Sequence, residues 1–287
     1  MPELPEVEAL AHHLRERLGG RRVSRVELAS LAALKTFDPP LHSLEGQRIE
    51  RVSRQGKFLI TDLEAASLVV HFARAGWLQW RDDLPDGPTR PGKGPLALRV
   101  GVVTVDGEPA GGFDITEAGT TKGLALYVVT DTAAVPGITR LGPDALELDV
   151  DQLAEILAAH PRSHIKNLLR EQGVLSGIGN AYSDEILHLA QVSPFAPAGS
   201  VDASGLHAAI QATLTQARDR AIAADVSRLK SEKRDGLRVH GRAGQDCPVC
   251  GDTIGTVSFS GRSLEYCPTC QTGGKPLADR RLSRLLK

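Results

Sequence analysis

Directly after Pro5, apolar residues recur every three or four positions: Val7, Leu10, Ala11, Leu14 and Leu18 share one face, and Gly19-Gly20 ends the run. That period predicts an amphipathic helix. From Val23 to about Val129 the pattern becomes strand-like, with candidates at 23–28, 49–52, 58–62, 68–71, 77–80, 96–105 and 124–129. Short strands punctuated by Gly and Pro predict a sandwich or barrel. Residues 81–95 hold four prolines and three glycines and read as a loop. From Val150 the helical period returns. Val150, Leu153, Ile156 and Leu157 form one face closed by Pro161. Ser163 reads as the cap of a second helix through Leu169, Asn180 of a third through Ala190, and Asp202 of a longer one bearing Leu206, Ile210, Leu214, Ala217 and Ala221. Residues 172–179 have room only for turns. Pro136, Gly137, Gly142 and Pro143 cluster where two domains should part.

Composition narrows this picture. A chain of 287 residues is long for one core and predicts two domains. No apolar run reaches the length of a membrane span, and the acidic start carries no charged-then-apolar leader, so a soluble cytoplasmic protein is expected. The net charge of −1 does not advertise nucleic acid, but its distribution does. Residues 226–287 carry 12 Lys and Arg against 6 Asp and Glu, while the rest carry 22 against 29. Such separation points to a basic binding face on the C-terminal part or, more plainly, a solvated basic tail.

All four cysteines fall in two knuckles, Cys247-Pro248-Val249-Cys250 and Cys267-Pro268-Thr269-Cys270, sixteen residues apart. Two close pairs of soft thiolates match a closed tetrahedral zinc site of ribbon type, with two disulfides as the alternative. A site with four cysteine ligands has no open position, so one such Zn2+ would be structural. At the other end, Pro2 becomes a free secondary amine once Met1 is removed. Such an amine can attack a sugar aldehyde carbon and form an iminium, with Glu3 beside it to handle protons. The plain alternative is a helix start, where proline and carboxylates are both common.

Taken together, Pro2-Glu3-Leu4-Pro5-Glu6, Gln55-Gly56-Lys57, His71, Ile165-Lys166 leading into Gly177-Ile178-Gly179-Asn180, and Arg262 within the finger resemble the formamidopyrimidine-DNA glycosylase and endonuclease VIII family of base-excision repair enzymes. The resemblance covers nearly the whole chain. It implies an α+β multidomain fold: an N-terminal β-sandwich with an N-terminal helix, then a helical helix–two-turn–helix domain with a four-cysteine zinc finger. The corresponding segments are a catalytic sandwich at 1–130, a linker at 131–149, a DNA-binding domain at 150–239, a finger at 240–271 and a basic extension at 272–287. The implied activity is that of a bifunctional glycosylase and AP lyase on damaged DNA, monomeric, with no membrane and no small-molecule cofactor. Pro2 would be the nucleophile, Glu3 the acid on the sugar ring oxygen, and Glu6 a residue placing water or the amine, or else a helix-surface carboxylate. Lys57, His71, Lys166, Asn180 and Arg262 would hold phosphates. Without the resemblance, Lys57 reads as a surface charge, His71 as a core residue and Asn180 as a helix cap.

Several positions depart from the family pattern. After His71 it commonly carries Leu-Gly-Met-Ser-Gly, whose methionine enters the gap left by a flipped-out base. Here Phe72-Ala73-Arg74-Ala75-Gly76 places Arg74 at that point, where its planar guanidinium can stack. An arginine and a phenylalanine from a second loop usually help. Residues 116–123 contain neither, leaving Lys122 to assist by charge and Glu117 awkwardly near DNA. Residues 227–242 are short and charged, unlike the long loop some members fold over an oxidised purine, and His240 stands where a tyrosine is common. An alternative therefore stays open: a weakly active or non-enzymatic paralogue that binds damaged or structured DNA. A third class, a zinc-ribbon adaptor for proteins, would have no salt-sensitive DNA affinity.

Overall fold

The computed structural model describes residues 1–85, 87–92, 94–259 and 262–278, with the side chains of Phe259 and Arg262 outside the described residues. It forms two compact units, one of residues 1–140 with 218–230, the other of 141–217 with the described residues from 231 onward. In the first unit, helix α1 (Leu4–Leu18) starts earlier than its apolar period predicts. Glu3 is the N-cap, and a reciprocal capping box explains the start: Glu3 N–H donates to Glu6 Oε2 at 2.8 Å while the Glu3 carboxylate accepts the Glu6 N–H. Pro5 sits in the first turn, where its missing N–H costs nothing.

Two four-stranded antiparallel sheets follow. They comprise β1 (Arg22–Leu28), β2 (Ile49–Gln55), β3 (Phe58–Leu63), β4 (Ser67–His71), β5 (Gly76–Arg81), β6 (Leu96–Val103), β7 (Pro109–Glu117) and β8 (Ala125–Val129). The strand orders are β1-β6-β7-β5 and β2-β3-β4-β8. Leu10, Leu14 and Leu18 of α1 join Leu59, Val70, Leu98, Phe113 and Leu126 in one buried core between the sheets. Strand β7 is absent from the periodicity, yet it is the strand that joins β5 to β6. Its glycines are the reason. A Cβ on Gly112 would lie 2.1 Å from the Val100 carbonyl oxygen, and Gly111 has φ +78, so both positions must lack a side chain. The same core takes Ala221, Val226 and Leu229 from the returning segment 218–230.

The second unit holds α2 (Val150–Ala159), α3 (Ile165–Arg170) and α4 (Asn180–Leu189), joined by turns. Asp149 and Gln152 cap α2 reciprocally, at 2.8 and 3.1 Å. The cap of α3 is His164 rather than Ser163, and that of α4 is Gly179, so Asn180 is the first helical residue and not the cap. Helix α5 (Ala203–Ala223) follows Asp202, whose carboxylate accepts the Ser204 and Gly205 N–H groups as the sequence predicts. A short helix, α6 (Leu229–Gly236), occupies much of the charged stretch 227–242. The unit ends in the hairpin β9 (Gly255–Phe259) and β10 (Arg262–Tyr266), then α7 (Pro268–Thr272). Among the described residues no helix is long and apolar enough to cross a membrane.

Candidate catalytic terminus and zinc centre

Pro2 is buried, immediately ahead of the N-cap. Glu3 and Glu6 are 2% and 1% exposed, so Glu6 is not the surface carboxylate that its place on a helix suggests. Once freed, the Pro2 nitrogen would stand at the positive end of the α1 dipole.

Lys57 does not begin a strand; it lies in the turn of the β2–β3 hairpin. Gln55 and Phe58 are register partners, and Gly56, with φ +53, takes the first central position where a tight hairpin turn demands glycine. Arg54 braces this turn: Nη1 donates to the Gly56 carbonyl at 3.0 Å and Nε to Glu8 Oε2 on α1 at 3.0 Å. Lys57 is itself only 8% exposed. Across the next strand pair, His71 faces Phe58, with ring centroids 4.8 Å apart. Burial, and then the charge of Lys57, push the His71 pKa down to about 4, so at neutral pH it offers an N–H but no charge.

Arg74 is exposed, in a turn whose Ala73 has φ +49. Gly76 closes the turn by donating to the Phe72 carbonyl at 2.8 Å; a Cβ there would meet that oxygen at 2.3 Å. Glu117 differs from expectation. It is 5% exposed, and its Oε1 accepts the N–H groups of Gly123 and Leu124 at 2.7 and 2.8 Å. The carboxylate folds inward to close its own loop. Lys122 Nζ donates to the Glu117 carbonyl at 2.7 Å, which ties that ammonium into the same loop.

In the second unit Lys166 is only 3% exposed, with Nζ at 2.6 Å from Asp184 Oδ1, 2.7 Å from Ser183 Oγ and 3.2 Å from the Asn180 carbonyl. Its ammonium contacts three groups near the start of α4. Asn180 Nδ2 donates to the Ser263 carbonyl on β10 at 2.8 Å. Arg262 opens β10, though its side chain lies outside the described residues.

Sequence reading missed Asp184, Glu185 and His188, which lie buried on α4. The available signal was two adjacent acids followed by Ile186 and Leu187, an acidic pair inside an apolar helix. Asp184 Oδ2 accepts from His240 Nδ1 at 2.7 Å. Glu185 accepts the backbone N–H groups of Arg238, Val239 and His240 at 2.8, 2.9 and 2.9 Å.

The sulfurs of Cys247, Cys250, Cys267 and Cys270 all lie within 4.8 Å of one another. Cys250 and Cys267 are 3.4 Å apart and Cys247 and Cys270 3.9 Å, far beyond a disulfide bond of about 2.05 Å. Zn–S bonds of about 2.3 Å in a tetrahedron set sulfurs roughly 3.8 Å apart, which these spacings match. The four cysteines hold one structural Zn2+. Beyond the finger the chain docks back: the Leu277 N–H donates to Tyr266 Oη at 2.7 Å, and the Leu277 side chain packs on Val257, Leu264 and Tyr266. Residues 279–287, with most of the basic extension, lie outside the described residues.

Residues 1–109 match the family model of the formamidopyrimidine-DNA glycosylase N-terminal domain, 141–232 that of the helix–two-turn–helix domain, and 244–273 the zinc finger found in these glycosylases and isoleucyl-tRNA synthetases. The formamidopyrimidine-DNA glycosylase of Symbiobacterium thermophilum is 34% identical over 98% of this chain and 93% of its own. An uncharacterised formamidopyrimidine-DNA glycosylase-like protein of Mycobacterium tuberculosis is 54% identical over 54% of this chain and 99% of its own. The Lactococcus lactis enzyme, solved bound non-covalently to DNA containing an AP site, superposes with a TM-score of 0.77 at 26% identity, covering 94% of this chain and 99% of that one. The chain belongs to the formamidopyrimidine-DNA glycosylase family.

Proposed function

We propose that this protein is a bifunctional DNA glycosylase and AP lyase acting on damaged DNA through an iminium formed by Pro2. The observation that carries the reading is the capping box. It locks Glu3 against Glu6 and so fixes the residue next to the nucleophile at the positive end of α1. The Pro2 nitrogen lone pair forms a bond to C1′ of the damaged nucleotide as the bond to the base breaks, and the proton lost from that nitrogen goes to the departing base. Glu3 gives a proton to the ring oxygen, the sugar opens, and the nitrogen is left as an iminium. That cation acidifies C2′. Loss of its proton expels the 3′ phosphate, a second elimination expels the 5′ phosphate, and water then releases Pro2 from the sugar remnant.

DNA is the partner this reading requires. Lys57 and His71 at the first unit's hairpin, with Asn180 and Arg262 in the second unit, are the phosphate contacts it invokes. The bound DNA of the L. lactis relative and the charge on residues 226–287 support it.

Borohydride reduction on an abasic-site duplex tests the reading. Protein with a processed terminus should crosslink, and protein with residues left ahead of Pro2 should not. Glu3→Gln should slow base excision with less effect on the abasic site. A crosslink undiminished by the blocked terminus sinks the Pro2 mechanism. The binding-only reading keeps one specific support, the loop at 118–123 folded on Glu117 without a bulky side chain. It predicts tight binding with no crosslink.

A further inference from the structure

We propose that His240 is a positioning residue: with Nδ1 set between Asp184 on α4 and Glu265 on β10, it holds the hairpin that carries Arg262 in register with the first turn of α4. The inference rests on the reading of Asn180 and Arg262 as phosphate contacts.

Geometry makes the case. His240 Nδ1 lies 2.7 Å from Asp184 Oδ2 and 3.0 Å from Glu265 Oε2, while Lys166 Nζ lies 2.6 Å from the other Asp184 oxygen. Asp184 is 0% exposed and Glu265 6%. Two buried carboxylates, one on α4 and one on β10, thus face the same ring nitrogen, and that nitrogen joins the two elements. Burial works against charge on the ring, but its hydrogen bond to Asp184 and the nearby Glu265 carboxylate outweigh it and raise the pKa to about 9. Glu185, next to Asp184 on α4, accepts the backbone N–H groups of 238–240 and so anchors the segment that carries the ring.

The brace acts on β10 at a useful place. Ser263 and Glu265 are two apart on one strand, and each is tied to the start of α4, the first by Asn180 Nδ2 and the second through His240. Arg262 adjoins the first tie. A divalent metal on the same atoms, since Asp184, His240 and Glu265 also converge within 4.8 Å, fits less well. It would take the ring's place as a cation and leave a net positive charge beside the Lys166 ammonium.

The test uses full-length, zinc-loaded protein with His240→Gln and His240→Lys. His240→Gln should speed amide exchange at 262–266 about tenfold or more, with one zinc per chain kept and α1 unchanged; His240→Lys should recover most of the protection. In binding to a duplex with a tetrahydrofuran abasic analogue, Arg262→Ala should weaken the wild type yet add little in the His240→Gln background. Unchanged exchange in His240→Gln overturns the proposal, as do fully multiplying effects of the two substitutions. Two zinc ions per wild-type chain, falling to one in His240→Gln, overturn it in favour of a metal site. If no form binds the duplex, the functional reading falls, and the exchange arm still decides the brace.

Discussion

His188 Nε2 lies 3.3 Å from Cys247 Sγ. Burial, and then the charge of Arg238, lower the pKa of this ring below its ordinary value. With its proton on Nε2 the ring would donate to this sulfur, so helix α4 reaches a cysteine of the zinc site directly. Hydrogen bonds of this kind orient metal ligands and temper their charge. His188→Ala should weaken zinc binding about 10–100-fold, measured by competition with a chromogenic chelator. Stripping the zinc altogether should unfold the β9–β10 hairpin while the melting of the sandwich stays in place.

Glu185 gives a sharper stability test. Its two oxygens satisfy three backbone N–H groups in a buried setting. Glu185→Ala abandons all three and should cost about 3 kcal/mol or more in urea denaturation. Glu185→Gln keeps one acceptor and should fall between. Equal losses in the two variants would show that the acceptors are not what matters.

The two perturbed histidines act on opposite limbs of the pH profile. His71 has a folded pKa of about 4 against an ordinary 6.5, so its contribution is whole above pH 6.5 and is lost as pH falls towards 4. The full effect is up to about 3 kcal/mol. His240 runs the other way: about 9 against 6.5, whole below pH 6.5 and lost as pH rises through 9. Urea midpoints against pH should show His71→Phe flattening the acid limb alone and His240→Gln the alkaline limb alone.

Gly112→Ala should be among the most damaging single changes. The added carbon would sit 2.1 Å from the Val100 carbonyl oxygen, so β6 and β7 must separate. A loss above about 3 kcal/mol, or insoluble protein, is expected in denaturation and expression trials. A loss within about 0.5 kcal/mol would mean the strands part without strain.

What the sequence disclosed depended on how local each signal was. Helix α1 and the cysteine knuckles announce themselves within a few residues, by period and by spacing. Strand β7 did not, because its glycines are set by the backbone of a neighbouring strand and not by any alternation of their own. Glu117 looked like a charge facing outward, since only the fold brings the N–H groups of Gly123 and Leu124 to its carboxylate. Asp184, Glu185 and His240 meet across more than fifty residues. Their pairing is a tertiary fact with no sequence period. The contacts of Lys166 with Ser183 and Asp184 are equally invisible in the sequence.

Segment 218–230 has a consequence for how the chain is made. It supplies Ala221, Val226 and Leu229 to a core whose other walls come from the amino-terminal half. During synthesis the sandwich must therefore wait, incompletely sealed, until residue 230 has left the ribosome. No single proteolytic nick yields two self-sufficient pieces. A 1–140 fragment should bind a hydrophobic dye that a 1–230 fragment ignores, and equal dye binding by both would refute this delayed closure.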